Sequence, residues 1–472
     1  NAMMNKFILK ITKLLFLLVI ITTVFACDDD DNRIIEGTNS IVNYMEREPR
    51  FSLFHELVVR TELDAVLDGN SGTYTILAPN NNAVETYLAE NSFGSIQEIP
   101  EDLAFDLVYY HLLETINTQE SFTTGYLRTL SEIPVTDTTT TNLSLLVNTA
   151  NNEVRFNGDT ELVNANIEVD NGMMHEINKM MALPSLETFM QADSNLTPFY
   201  NEALANNTDF QGYLTSEDYH TILVPSADNF TNFWSNNSFT SAEAEQFFNY
   251  YVQDSLNITS RVSQGYINTK ASVNLDNEEK TLPIYLNTQV GLLLNNTSSI
   301  TVQDIVTTNG VIHSLDEVIT LPTLADFMYA DLELTTFVEA ISRDDMTTEN
   351  YLERLNNTNS TNSPFTIFAP TNQAFEDVLL ELFPEQNASL EDIETLDLVS
   401  ILNLHIAENL NLELDDYTSS TVNTLGGTIE IDTTIPSVTD VNDREALILQ
   451  QNAIQTLNGV FYKIDTVLLP QL

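Results

Sequence analysis

Beyond residue 37, apolar and polar positions follow a repeating order. Short β-branched or aromatic runs end at a proline, pass through a polar cluster and continue with apolar residues at helical spacing. The stretches are "YTILAPNNNAVETYL" from Tyr74, "HTILVPSADNFTNFW" from His220 and "FTIFAPTNQAFEDVL" from Phe365. Each predicts a strand, a turn and a helix. In the third, the strand is expected over Phe365–Phe368, Pro370 ends the ladder for want of an N–H, and Thr371 caps the helix; Ser226 and Asn80 take the capping place in the other two. A second pattern appears as "NGMMHEINKMMALP" from Asn171, "NGVIHSLDEVITLP" from Asn309 and "NGVFYKIDTVLLP" from Asn458. Asn-Gly signals a turn whose glycine tolerates positive φ, and the alternation behind it (Val311, His313, Leu315; Val460, Tyr462, Ile464) predicts a half-buried strand. Between these patterns, Leu143 to Gly172 alternates as hairpins do. A third echo follows acid-rich helical stretches: "VYYHLLE" from Val108, "NYYVQDS" from Asn249 and "LNLHIAE" from Leu402.

The period is that of a domain. Pro79, Pro225 and Pro370 are 146 and 145 residues apart, and the Asn-Gly pairs 138 and 149. Different motifs recurring in one order at one period indicate tandem units. These motifs resemble those of the fasciclin domain family: Thr366, Ala369, Pro370, Thr371, Ala374 and Phe375 match its "TIFAPT-x-x-AF" strand and helix start, and Asn309 to Pro322 its closing motif. The resemblance implies an α+β fold of three tandem fasciclin-like domains, each a β-sheet wedge or sandwich packed with helices. The expected domains are 38–184, 185–322 and 323–472. Linkers are nearly absent, because Pro184 runs into "SLETFMQAD" and Pro322 into "TLADFMYAD", each readable as the opening helix of the next unit. The family's central Tyr-His pair, linked there to cell adhesion, falls on Tyr110 and His111 in unit one. By direct alignment unit two has Tyr251 before Val252, and unit three Leu404 before His405. Tyr110, His111, Tyr251 and His405 are therefore the candidate interaction residues, with a core role as the competing reading.

The first 26 residues carry Lys6, Lys10 and Lys13 and no acid, then an apolar run from Leu14 to Ala26 ending at Cys27, the only cysteine. Asn1 and Ala2, ahead of two methionines, read as a tag remnant. Thirteen residues cover about 20 Å as a helix, short of the roughly 20 residues a bilayer core requires, so residues 1–26 are expected to be a signal peptide. Ending at cysteine, the segment resembles a bacterial lipobox, although Phe25 is bulky for it. Cys27 is then the expected lipid attachment site, and residues 27–37 an acidic tether. Asp28, Asp29, Asp30 and Asp31 resemble the export signal of surface-displayed lipoproteins. That implies a lipid-anchored protein at the outer membrane or cell surface of a Gram-negative bacterium, its membrane contact made through the N-terminal lipid.

Charge and chemistry narrow the function. All 69 acidic residues lie beyond Cys27, against 14 of the 17 basic ones, a formal charge of −55. Such a surface repels phosphate backbones, so nucleic acid is excluded as partner. No EF-hand spacing, nucleophile elbow or phosphate loop occurs, and six dispersed histidines offer no ligand set. His175 and His313 share a repeat position with Tyr462, which suits a structural hydrogen-bonding ring. No enzyme, cofactor or metal site is expected. The function expected is an adhesion or interaction module for a protein or glycan ligand. The alternatives are an accessory carbohydrate-binding lipoprotein of a nutrient-uptake system and a structural envelope protein. The oligomeric state is left open.

Overall fold

A computed structural model describes residues 39–472, apart from 69–71, 151–152, 276–277, 290, 347–349, 385–386, 416, 451 and 472. The expected signal peptide, the tether, Cys27 and Asp28 to Asp31 lie outside the described residues. Among the described residues no helix is long and apolar enough to cross a membrane.

In the first repeat the strands are β1 (Tyr74–Pro79), β2 (Leu112–Leu113), β3 (Gly125–Pro134), β4 (Thr140–Asn148), β5 (Arg155–Phe156), β6 (Thr160–Val169) and β7 (Gly172–Ile177). They form one sheet in the order β2-β1-β7-β6-β5-β4-β3. The two motifs that punctuate the sequence thus lie side by side. β1 and β7 run parallel, Tyr74 opposite Gly172 and Pro79 opposite Ile177, with nearly a hundred residues of chain between them. β4 to β6 form the antiparallel hairpins expected between Leu143 and Gly172, and β3 adds a further antiparallel partner ahead of them.

The second repeat gives β8 (His220–Pro225), β9 (Val252–Asp254), β10 (Gly265–Leu275), β11 (Glu278–Asn287), β12 (Leu293–Leu294), β13 (Ser298–Thr307) and β14 (Gly310–Leu315), in the same spatial order. The third differs. β15 (Phe365–Pro370), β16 (Ile406–Glu408), β21 (Ile454–Thr456) and β22 (Gly459–Ile464) form one four-stranded sheet; β17 (Thr421–Thr424), β18 (Gly427–Asp432), β19 (Ser437–Thr439) and β20 (Glu445–Leu447) form another. The parallel pairing recurs, Phe365 opposite Gly459.

The closing strands are not half-buried as their alternation suggested. β7, β14 and β22 are covered on both faces, with burial broken at only one position in each. A strand paired in parallel at the middle of a sheet is shielded on each side, so its outward residues are buried too. Gly172 and Gly459 have φ of +153° and +151°, and a Cβ at either would fall on the carbonyl oxygen of Tyr74 or Phe365. The glycine therefore permits both the turn and the close approach of the parallel neighbour.

Helix starts follow local chemistry. Asn80 accepts from the Ala83 N–H at 3.1 Å and Thr371 from the Ala374 N–H at 3.3 Å, as capping residues should. Ser226 does not cap; its hydroxyl donates instead to the Asp316 carbonyl at 2.9 Å. The opening helices Leu186–Ala192 and Leu324–Ala330 begin at capping boxes made by Ser185 with Thr188 and by Thr323 with Asp326.

The chain forms two compact units that cut through the second repeat. Of the described residues, one holds those up to Thr197 with Leu214–Glu217 and Asp304–Val311; the other holds those of Pro198–Tyr213, Asp218–Gln303 and Ile312–Leu472. The first unit packs Phe51, Phe54, Leu57, Ile76, Val108 and Met174 in its core. In the second, Tyr285 of β11 joins Phe327, Phe337, Ile367 and Phe461.

Candidate functional site

The chain enters the candidate site from the helices Glu101–Tyr110, Ser241–Asn249 and Thr395–Asn403. Each ends where the chain turns into the short edge strand beside β1, β8 or β15, so the residue at the turn sits against the core. Tyr110, His111, Tyr250, Tyr251 and His405 are all completely buried. None presents a surface to a partner.

The hydrogen bonds show what the site does. His111 Nδ1 lies 2.7 Å from the Leu107 carbonyl, four residues back, and its Nε2 accepts the Met181 N–H at 3.1 Å. That N–H fixes the tautomer: Nδ1 carries the proton and Nε2 is the acceptor. His405 repeats the arrangement, with Nδ1 2.9 Å from the Ile401 carbonyl and Nε2 accepting the Leu468 N–H at 3.0 Å. In the second repeat the Tyr251 hydroxyl takes over. It accepts the Ile319 N–H at 2.9 Å and donates to the Ile319 carbonyl at 2.8 Å. Met181, Ile319 and Leu468 each stand ten residues after their Asn of the Asn-Gly pair. One closing-segment N–H is thus satisfied in all three repeats.

This corrects the direct alignment by one residue. Tyr251, not Val252, stands where His111 and His405 stand, and Tyr250 where Tyr110 stands. The Tyr110 hydroxyl donates to the Ser144 carbonyl and accepts from Asn157 Nδ2, both at 2.8 Å; Tyr250 donates to the Pro283 carbonyl at 2.9 Å and accepts from Asn295 Nδ2 at 2.8 Å. The β-strand N–H groups of Leu77, Leu223 and Phe368 in turn bond the carbonyls of His111, Tyr251 and His405. A buried N–H needs an acceptor and tolerates either an imidazole nitrogen or a hydroxyl. Sequence identity was therefore a poor guide to the register here.

Electrostatics agree. Burial pushes both His111 and His405 down to about 4, against a backbone bond that opposes the shift. Both rings are neutral at ordinary pH. Burial also pushes the Tyr110 and Tyr251 hydroxyls up.

Two further sets of residues complete the site, neither given this role by the sequence. Asn171, Asn309 and Asn458 looked like turn formers. Their side chains accept the N–H groups of Ile41, Leu186 and Leu324 at 2.8, 2.9 and 3.0 Å, and donate to the carbonyls of Leu67, Leu214 and Leu355 at 2.8, 2.8 and 2.7 Å. Each stitches the first turn of its repeat's opening helix to the closing turn. Thr75, Thr221 and Thr366, second in their strands, each bridge a loop carbonyl and a loop N–H: Thr115 and Asn117, Ser255 and Asn257, Leu410 and Leu412. The signal was available in their identical residue type at identical repeat positions. His175, His313 and Tyr462 reach the carbonyls of Asn117, Asn257 and Leu412 at 2.9, 2.9 and 3.1 Å.

Among the described residues no group of three or more His, Cys, Asp or Glu side chains is placed to hold a metal ion. The polar groups of the site are paired with backbone and, at Tyr110 and Tyr250, with the side chains of Asn157 and Asn295. Fold and site together define a class of tandem α+β domains whose shared buried residues maintain the scaffold. The chain belongs to the fasciclin domain family, whose model matches residues 49–184, 195–322 and 332–470. It is similar to transforming growth factor-beta-induced protein ig-h3 of Sus scrofa, 24% identical over 450 residues, which cover 93% of this chain and 59% of that protein. It is also similar to human periostin, 32% identical over 171 residues, 35% of this chain and 18% of periostin. The chain thus spans less than two thirds of the curated relatives it matches. A FAS1 domain pair from the insect cell adhesion molecule fasciclin I aligns with a TM-score of 0.38 and 15% identity, covering 58% of this chain and 97% of that one.

Proposed function

We propose that this chain is a lipid-anchored, surface-displayed adhesion or interaction module that binds a protein or glycan through the outer faces of its tandem domains. The observation that carries the reading is the family match in three consecutive segments, joined to the complete burial of the residues those segments share. Buried hydrogen-bonding residues hold the scaffold, so recognition falls to surfaces that differ from repeat to repeat. The carbohydrate-uptake alternative gains nothing from Trp234, the only tryptophan. Its ring is packed in an aromatic cluster, stacked on Phe239 at 4.9 Å and on Phe230 at 5.9 Å, rather than standing free as a sugar platform.

Attachment of cells carrying the intact gene, of cells lacking it, and of cells with the ectodomain masked by antibody tests the binding role across a panel of matrices. Deletion and masking should both lower attachment, and unchanged attachment across the panel overturns the reading. Anchoring and display are tested separately. Cys27→Ala should abolish membrane partitioning, and protease applied to intact cells should remove the ectodomain; full protection refutes outward display.

A further inference from the structure

Tandem repeats of one fold face a folding hazard. The opening segment of one repeat can pair with the closing strand of another, giving misassembled monomers or swapped dimers. Here the hazard is acute, because β1 and β15 each pair in parallel with a strand from the far end of the repeat, and the stitching Asn side chains are the same in each. Nothing in the backbone pairing or the Asn stitch distinguishes a repeat's own closing strand from another's.

A pair of charges does. Two residues after the C-cap of the opening helix stand Arg50, Asn195 and Glu333; four residues after the closing glycine stand Glu176, Ser314 and Lys463. In the first repeat Arg50 bridges the carboxylates of Glu48 at 2.9 Å and Glu176 at 3.2 Å, and Glu176, 7% exposed, also accepts from Asn80 at 3.1 Å. In the third repeat the polarity is reversed: Lys463 pairs with Glu333 and with Asp331 at 3.1 Å, Asp331 being wholly buried. The second repeat has neutral residues at both places.

We propose that this reversed pair is a self-recognition code that keeps each opening segment with its own closing strand as the array folds. Exchange between the first and third repeats would set Glu176 against Asp331 and Glu333 with no cation, and would bring Arg50, with Glu48 beside it, against Lys463. Placing the opening segment of the third repeat on the closing strand of the second leaves buried Asp331 facing Ser314 without its cation, its other partners including the Tyr266 hydroxyl at 2.9 Å and the Glu333 N–H at 3.0 Å. Uncompensated buried charge is strongly unfavourable, and like charges oppose one another, so specificity comes from penalising the wrong partner.

The test separates a code from a stabilising ion pair. Arg50→Glu with Glu176→Lys keeps an ion pair in the first repeat but copies the charges of the third. Glu176→Gln removes the pair and copies nothing. Full-length chains are refolded from guanidinium at several concentrations, and dimers and misassembled monomers are counted by size exclusion with light scattering and native proteolysis. The code requires the double variant to misassemble more than wild type, roughly two- to five-fold for an interaction of this exposure, and more than Glu176→Gln. A stabilising pair alone gives the opposite ranking of the two variants. Misassembly of the double variant at or below that of Glu176→Gln overturns the proposal while leaving the binding role intact.

Discussion

Replacing Tyr251 with phenylalanine removes one oxygen and leaves the ring in place. That oxygen is both acceptor for the Ile319 N–H and donor to the Ile319 carbonyl, in a position with no solvent exposure. The ring contacts, 5.1 Å from Phe199 and 5.2 Å from Phe247, survive the change. What remains is a buried N–H and a buried carbonyl without this partner. A stranded buried polar group costs about 1–3 kcal/mol, and carbonyls tolerate it better than N–H groups, so a loss of about 2 kcal/mol is expected. With a urea dependence of about 2 kcal/mol per molar, the midpoint should fall by about 1 M. The assay is favourable because Trp234 is the only tryptophan and lies in this aromatic cluster, 5.0 Å from Phe248; its fluorescence reports the second repeat selectively. Tyr251→His should recover part of the loss at pH 8, since His111 and His405 accept the equivalent N–H. A midpoint for Tyr251→Phe within about 0.2 M of wild type would refute the role assigned to the hydroxyl.

Acid should weaken the first and third repeats through His111 and His405. Their folded values near 4 lie below the unfolded value of about 6.5, so the unfolded chain takes up protons first: stability is fully present above pH 6.5 and drains as pH falls toward 4, by up to about 3 kcal/mol for each ring. Urea midpoints followed by near-ultraviolet circular dichroism from pH 8 to 4 measure this, and a His111→Gln, His405→Gln variant should show a flatter profile. Gly459→Ala should cost at least about 3 kcal/mol or prevent folding of the third repeat, because its Cβ has no room against Phe365 and its φ is positive; a soluble variant with a wild-type melting curve contradicts the packing. Asn458→Ala strands the Leu324 N–H and the Leu355 carbonyl, so about 2–3 kcal/mol should be lost, with faster hydrogen exchange in the opening helix Leu324–Ala330 rather than throughout.

The scaffold was legible where neighbours in sequence decide the structure. A proline after a β-branched run, an Asn or Thr cap and an Asn-Gly turn act over a few residues, so β1, β8, β15 and the helices behind them follow from pattern alone. Recurrence of those patterns at one period established tandem domains. The same local reasoning gave Ser226 a capping role it does not play, because the Asp316 carbonyl, 90 residues away, competes for its hydroxyl. Alternation in the closing strands was read as one buried face, since period two says which residues share a side and nothing about what covers each side.

The candidate residues divide in the same way. The Tyr-His echo was visible as a pattern, but its purpose lies in one N–H located 70 residues on for His111, 68 for Tyr251 and 63 for His405. The sequence by itself determined the number and order of the repeats, the motif strands, the caps at Asn80 and Thr371, and the residue types available for burial. Only the tertiary structure decided that Tyr251 replaces a histidine, that the closing asparagines stitch opening helices up to 134 residues away, and that Arg50 and Glu176 mirror Glu333 and Lys463. The reason is physical: a local pattern is written by backbone sterics and periodicity, whereas a buried polar group is satisfied by whatever the fold brings within about 3 Å, irrespective of its distance along the chain.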